Sequence, residues 1–132
     1  MAVIREHFAR KGLGLHNDLQ NEHSVVGNNV GLLLMIEYGT AVQKAEWIEP
    51  LAVGERFFAF GITEPEHGSD ATHMETTATE VEGGWRINGT KTWNTGVHTA
   101  THDLIFARTS GGPGDGRGIT AFLVPTDAAG FA

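Results

Sequence analysis

The 132-residue sequence contains no cysteine, and it has only nine basic residues against sixteen acidic ones. Without cysteine, disulfide scaffolds, thiolate nucleophiles and iron–sulfur clusters are excluded. The formal net charge of −7 is the wrong sign for binding a polyanion, so we expect no nucleic-acid partner. The absence of cysteine also fits a reducing compartment, and a cytoplasmic location is the expectation.

Long apolar segments are also missing. The longest run covers residues 32–36, whereas a membrane-spanning helix needs roughly 20 residues. The first residues do not combine a basic region with an apolar one, so no secretory signal is predicted. We therefore expect a soluble protein without a membrane span.

Residues 28–54 are predicted to form two helices, because apolar residues recur there at spacings of three and four. Gly39 offers a stop for the first helix. Thr40 opens the second helix, since Gln43 stands three residues later, which is the spacing of a capping box. Pro50 is expected to bend this helix. The residues of the second helix that we expect to face inward are Ala45, Ile48, Leu51 and Ala52.

After Arg56 the pattern changes to short β-like runs separated by glycine. Gly83-Gly84 and Asn88-Gly89 are hairpin signals, and the glycine-rich residues 111–118 are expected to form a mobile surface loop. The predicted class is α+β, with a helical segment followed by an antiparallel, barrel-like domain that is incomplete at its C-terminus. The predicted strand runs are residues 57–62, 76–81, 85–87, 90–93, 104–108 and 119–125.

Two stretches combine groups that can bind a ligand. Residues 63–70, TEPEHGSD, follow a predicted strand and offer hydroxyls, backbone N–H groups and a glycine that permits close approach. This composition suits an anionic ligand, although ordinary turn chemistry also explains it. Residues 85–96, WRINGTKTWNTG, end in an aromatic side chain next to a hydroxyl.

Together these stretches resemble, in order and spacing, the middle region of the acyl-CoA dehydrogenase family. The matching elements are TEP and GSD within residues 63–70, NGxKxWxT at 88–95, ART at 107–109 and AFLVP at 121–125. Residues 39–55 resemble the last helices of that family's N-terminal domain. The resemblance implies that residues 1–56 end the helical domain and that residues 57–132 form part of a middle β-domain that binds flavin and acyl-CoA.

The cofactor implied by the resemblance is FAD, and the implied substrate is an acyl-CoA thioester. Residues 60–69, which include Phe60 and Ile62, would line the flavin and the acyl-CoA tail. Thr63 would hydrogen-bond the flavin ring, and Ser69 would contact the cofactor's phosphates or the pantetheine arm of CoA. Both side chains are short donors, as a crowded site requires.

The resemblance also assigns roles to the second stretch. Trp93 would pack beside the isoalloxazine ring, and Thr95 would donate a hydrogen bond near the atom that receives hydride. Asn94 occupies the position between them and is also predicted to be one of the cofactor-binding residues. The commonest family pattern is Trp-Ile-Thr-Asn, so Asn94 and Gly96 are departures that leave the acyl chain and the partner open.

The family reaction implied by these motifs is α,β-dehydrogenation to a trans-enoyl-CoA, with hydride transfer to flavin. The proton is taken by a glutamate of a C-terminal helical domain that lies beyond these residues, so no catalytic residue is expected in this chain. Glu64 is expected to be a structural carboxylate that pairs with backbone donors. A full-length parent would be a homo-oligomer, commonly a tetramer, and its electron-transfer partner stays open.

Other readings remain as alternatives. The chain could be a non-catalytic piece that binds FAD and acyl-CoA, or part of a related acyl-CoA oxidase or flavin monooxygenase. Two histidine clusters have suitable metal ligands, but loop histidines are more often solvated, so no metal is expected. These clusters are His67, Asp70 and His73, and His98, His102 and Asp103.

Overall fold

The computed structural model describes residues 6–7, 9–12 and 28–132. The chain divides into two compact units, residues 1–58 and 59–132. Among residues 28–132, two α-helices precede five β-strands, which confirms the predicted α+β class. Within the described residues, no helix has the length and apolar character to cross a membrane.

The first unit contains helix α1, Asn28–Tyr38, and helix α2, Ala41–Ala52. Thr40 caps α2: its Oγ1 accepts a hydrogen bond from the backbone N–H of Gln43 at 3.2 Å. The Gln43 side chain in turn accepts one from the backbone N–H of Thr40 at 2.9 Å. The predicted capping box is confirmed, since two N–H groups without helical partners are both satisfied.

The buried face of α2 differs from the predicted one. Trp47 and Leu51 are buried and lie four residues apart on one side of the helix. Ala45 and Ala52 are exposed, so their predicted inward orientation is wrong, and Ile48 is half-buried. The large indole explains the difference, because a tryptophan buries far more area than an alanine. The Trp47 ring packs edge-on against Phe58, with centroids 6.0 Å apart.

The second unit is built around a five-stranded sheet with the order β1-β4-β2-β3, in which β5 also pairs with β4. Two pairings, β2 with β3 and β4 with β5, are antiparallel. Strands β2 and β4 meet in parallel at Thr77 and Arg108, so the sheet is mixed, and within the described residues it is not closed. The strands are β1 Phe58–Gly61, β2 Thr77–Val81, β3 Gly84–Asn88, β4 His102–Arg108 and β5 Ile119–Pro125.

One predicted strand and one predicted hairpin are wrong. Residues 90–93 form no strand, and Asn88-Gly89 ends β3 rather than turning it back. Gly89 lies so close to Thr76 that a Cβ on it would sit 2.7 Å from the Thr76 Cα. This contact takes the chain out of the sheet. The other hairpin signal is confirmed: β2 and β3 are joined by residues 82–83, and Gly83 has a φ of 80°.

The glycine-rich loop between β4 and β5 is held by hydrogen bonds to another loop. The Arg108 guanidinium donates to the carbonyl oxygens of Thr72, at 2.5 Å, and of Asp115, at 2.9 Å. The backbone N–H of Gly114 donates to the same Thr72 carbonyl at 2.9 Å. Arg108 is 9% exposed, so this contact is largely shielded from water. The loop that carries residues 63–70 is thereby tied to the sheet near its end.

Candidate functional site

A buried ion pair joins the two stretches that the sequence singled out. The Lys91 ammonium donates to Oε1 of Glu64 at 2.9 Å and to the carbonyl oxygen of Ile62 at 3.2 Å. The two charged side chains are 6% and 4% exposed. The backbone N–H of Thr92 also donates to the carbonyl oxygen of Thr63 at 2.9 Å. Residues 62–64 and 91–92 are therefore held side by side.

Glu64 is fully engaged in this arrangement. Its carboxylate also accepts hydrogen bonds from the backbone N–H groups of Glu75, at 2.6 Å, and Thr76, at 2.8 Å. Burial alone would raise its pKa, but donors from Thr76, the Glu75 amide and the Lys91 ammonium outweigh burial and lower the pKa to about 2. The predicted pairing of Glu64 with backbone donors is confirmed, and its lone pairs are directed at structural partners.

The low pKa of Glu64 predicts acid sensitivity. A carboxylate with a folded pKa of about 2 and an unfolded pKa near 4.5 stabilises the fold above pH 4.5 and loses this contribution as pH falls toward 2. The difference corresponds to about 3 kcal/mol. Urea unfolding of the wild type between pH 7 and pH 3 should show this loss. The Glu64→Gln variant should show a flatter profile, and parallel profiles for the two proteins would contradict this account.

Trp93 has an unusual backbone conformation. Its φ is 63°, and it is the one residue other than glycine with a positive φ among those that the structure describes. A bulky residue in this region is an outlier that costs on the order of 1–3 kcal/mol. The indole is nevertheless 87% exposed, so little packing within this chain offsets the strain. Strain that presents a large aromatic ring to the surface is characteristic of a ligand-binding position.

Asn94 is anchored to the centre of the sheet. Its Nδ2 donates to Oδ2 of Asp103, on β4, at 2.5 Å. Asp103 is 1% exposed, and burial raises its pKa despite the Asn94 hydrogen bond and the nearby Lys91 charge. The pair packs against Gly61, where a Cβ would meet Asn94 Nδ2 at 2.9 Å and Asp103 Oδ2 at 3.0 Å.

The predicted site residues fall into three groups, which are residues 60–63, residues 93–95 and Ser69, and the structure brings the first two together. Residues 60–63 and 93–95 are neighbours through the Thr92–Thr63 bond and the packing of Asn94 against Gly61. Phe60 is half-buried and packs on Phe106 with ring centroids 5.0 Å apart. Ile62 and Thr63 are half-buried and Thr95 is exposed. Their individual roles stay predictions.

Ser69 stands apart from this arrangement. It is exposed and lies just before Asp70, which caps the short 3-10 helix Ala71–His73 by accepting from the N–H of Thr72. No contact that the structure describes ties Ser69 to residues 60–63 or 93–95. Its predicted contact with the phosphates or the pantetheine arm also stays a prediction.

The histidines of the first cluster make local contacts with carboxylates, and in the second cluster His102 Nδ1 lies 3.1 Å from Thr101 Oγ1. His73 Nδ1 lies 2.7 Å from Asp70 Oδ2, and His67 Nε2 lies 3.4 Å from Glu75 Oε1. Across the part of the chain that the structure describes, no group of three or more His, Asp or Glu side chains is placed to hold a metal ion.

Sequence reasoning considered Asp103 only as a candidate metal ligand and assigned no role to Lys91 or Arg108, although Lys91 and Asp103 hold the site segments and Arg108 holds the neighbouring loops. Each is a charged residue whose side chain is almost completely shielded from water. A signal for them was present in the sequence. Asp103 and Arg108 flank the apolar run 104–107, and Lys91 stands two residues before Trp93. Charged side chains are almost never fully buried unless they are paired.

The exposed surface fits a planar aromatic group with polar edges. The indole of Trp93 offers a flat apolar contact, and the hydroxyl-bearing Thr63 and Thr95 lie in the two adjoining segments. A cavity of about 940 Å³ borders the same region, and its lining includes Lys91, Trp93, Asn94 and Asp103. An isoalloxazine ring, with an apolar face and several hydrogen-bonding edge atoms, matches this set of side chains.

Comparison with known proteins defines the class. A model of the acyl-CoA dehydrogenase middle domain matches residues 59–132. The mitochondrial short-chain specific acyl-CoA dehydrogenase of Mus musculus is 39% identical over 106 residues, which are 80% of this chain and 26% of that protein. The chain spans about a quarter of the length of this relative.

Solved structures agree with this class. A glutaryl-CoA dehydrogenase from Mycobacterium smegmatis in complex with FADH2 is 38% identical, with a TM-score of 0.66 over 76% of this chain and 24% of that one. An FAD complex of PigA is 31% identical, with a TM-score of 0.70 over 75% of this chain and 26% of that one. Both are flavin complexes. This chain belongs to the acyl-CoA dehydrogenase family, whose enzymes are oxidoreductases, and the resemblance found in its motifs is confirmed.

Proposed function

We propose that this chain forms the flavin-contacting part of an FAD-dependent acyl-CoA dehydrogenase. The single observation that carries the proposal is Trp93, whose exposed indole is held at a φ of 63° beside the segment that contains Thr63. The family membership and the flavin complexes of the similar structures support the choice of FAD.

In this proposal each segment contributes a different contact. When bound, FAD would accept a hydride from the β-carbon of an acyl-CoA thioester, while a base that is not among the residues of this chain would take the α-proton, which would give a trans-enoyl-CoA. The Trp93 indole packs beside the ring system and excludes water from one side. Thr63 and Thr95 donate hydrogen bonds to polar edge atoms, which stabilises negative charge as it develops. Ser69 binds the phosphates or the pantetheine arm.

The proposal names no residue of this chain as the base that removes the α-proton. Glu64 is the carboxylate closest in sequence to the site residues, but two backbone N–H groups and an ammonium already occupy it. A pKa of about 2 makes it a very weak base at neutral pH. The chain alone is therefore expected to bind FAD without carrying out dehydrogenation.

An anaerobic titration tests this function. Purified chain is mixed with FAD, separated from unbound cofactor and examined by visible absorbance before and after addition of butyryl-CoA. We expect a flavin spectrum that stays oxidised. Failure to retain FAD would overturn the cofactor assignment. Bleaching of the flavin by butyryl-CoA would show that this chain contains a base and would overturn the statement that none of its residues removes the α-proton.

Two expectations from the sequence accompany this proposal. The parent enzyme is proposed to be a homo-oligomer, and its location is proposed to be cytoplasmic because the sequence has no cysteine. Light scattering of the purified protein and fractionation of cells that express it are the measurements that decide these two points.

A further inference from the structure

We propose that Asn94 and Asp103 are a positioning pair that holds the segment 93–95 in the conformation in which it contacts the cofactor. The inference rests on the proposed function and deepens it, because it adds a positioning role for the Asn94–Asp103 pair to the predicted cofactor contacts of the segment 93–95. The pair acts through Trp93 and Thr95, which stand on either side of Asn94 in the chain.

The rigid end of the pair is Asp103. It lies on β4, the strand that is paired with β1, β2 and β5, and its side chain is 1% exposed. The backbone of Asp103 is held in the antiparallel pairing of β4 with β5, in which it lies opposite Val124. It therefore offers a fixed point to which a loop can be attached.

The other end of the pair is the side chain of Asn94, which lies in a segment without regular secondary structure. Its Nδ2 donates to Asp103 Oδ2 at 2.5 Å, and the remaining oxygen of each side chain has no hydrogen-bond partner among the described residues. This one bond therefore carries the whole polar anchoring of the Asn94 side chain. A charge-assisted hydrogen bond is among the stronger ones available for the purpose.

The Asn94 side chain anchors the residue directly after the strained Trp93. Before Trp93, the N–H of Thr92 is bonded to the Thr63 carbonyl, and after it the Asn94 carbonyl accepts from the N–H of Val97 at 3.1 Å. The Asn94 side chain supplies the third attachment. A tryptophan keeps a positive φ only when the surrounding contacts fix its backbone. Here the three hydrogen bonds of Thr92 and Asn94 fix the backbone on both sides of Trp93.

Gly61 provides a way to test the pair without changing either member. A Cβ at Gly61 would meet Asn94 Nδ2 at 2.9 Å and both oxygens of Asp103 at 3.0 and 3.2 Å. The Gly61→Ala variant should therefore push the two side chains apart. Gly84, on β3, is the matched control, because a Cβ there meets nothing within 4 Å.

The experiment measures 15N relaxation of the Trp93 and Thr95 amides, the thermal midpoint and the FAD dissociation constant. The variants are Asn94→Ala, Gly61→Ala, Asp103→Asn and Gly84→Ala. In Asn94→Ala and Gly61→Ala we expect residues 93–95 to become mobile and FAD affinity to fall at least tenfold. The thermal midpoint should fall as well, because Asn94→Ala leaves the buried Asp103 carboxylate without its hydrogen-bond partner and Gly61→Ala crowds both side chains, so the relaxation is measured below the midpoint of each variant. Asp103→Asn and Gly84→Ala should keep both the order of residues 93–95 and the affinity for FAD. In Asp103→Asn the new amide oxygen can still accept the hydrogen bond from Asn94.

The relaxation data test the positioning role of Asn94 and Asp103, and the FAD affinity of the wild type tests the proposed function. If Asn94→Ala and Gly61→Ala leave the amides of residues 93–95 as ordered as in the wild type, the positioning role is refuted, whatever happens to affinity. If the wild type fails to bind FAD, the proposed function fails, but the relaxation data still decide whether the pair orders the segment. If only one of the two variants unfolds, the other gives the answer.

Discussion

Replacing Lys91 with Met is expected to lower the free energy of unfolding by about 3 kcal/mol or more, because it leaves the buried carboxylate of Glu64 without its ammonium partner. The same change removes the hydrogen bond to the Ile62 carbonyl. Urea denaturation followed by circular dichroism measures the loss. The Lys44→Met variant, which removes a lysine from α2, is the matched control and should be close to the wild type.

A double variant separates the charge pair from general damage. Glu64→Gln combined with Lys91→Met places two uncharged groups at the buried position, so no uncompensated charge remains. We expect this double variant to be more stable than Lys91→Met alone. A loss equal to the sum of the two single losses would show that the pair contributes no coupling and would contradict its structural role.

Replacing Trp93 with Ala is expected to weaken FAD binding by roughly five- to 150-fold, because stacking on one aromatic face is worth roughly 1–3 kcal/mol and about 1.4 kcal/mol corresponds to a factor of ten. The stability of the chain should change little, since the indole is 87% exposed. Fluorescence titration of FAD measures the affinity. The control is Trp85→Ala, which removes a second exposed indole that packs on Phe122.

A glycine at position 93 tests the strain itself. The Trp93→Gly variant should lose as much FAD affinity as Trp93→Ala, but it should be the more stable of the two, because glycine adopts a φ of 63° without steric cost. If alanine and glycine at this position give equal stability, the positive φ is not a strained feature of the folded protein.

The parts of the fold that could be predicted from the sequence are those set by neighbouring residues. The capping box joins Thr40 and Gln43, which are three positions apart. Its hydrogen bonds involve these two residues alone, so the sequence is sufficient to predict it. The hairpin between β2 and β3 follows from the turn that contains Gly83. Strands β4 and β5 were visible as apolar runs, because each was bounded by polar residues or glycine.

The features that escaped prediction depend on contacts between distant residues. Residues 90–93 have the composition of a strand, but Gly89 packs against Thr76 and the chain turns out of the sheet. Lys91 and Glu64 are 27 positions apart, and nothing local indicates that their charges meet in a buried place. On α2, the spacing of the apolar residues did not determine whether the side of the helix with Ala45 or the side with Trp47 is buried.

In the candidate site, too, local features could be predicted and contacts between distant residues could not. The motif located Trp93 and Thr63, since their spacing matched a known family, but it gave no sign of the positive φ at Trp93. Asn94 was noted as a departure from the commonest pattern. Its bond to Asp103 became evident only when the sheet placed β4 beside it.

The central claim is that residues 60–63 and 93–95 together contact FAD. An NMR titration of the 15N-labelled chain with FAD tests it most directly, because every assigned amide reports its own change. The account predicts that the largest shifts occur at Thr63, Trp93 and Thr95, and that α2 and β3 are nearly unaffected. Saturable binding with the main shifts elsewhere, or no binding at all, would contradict it.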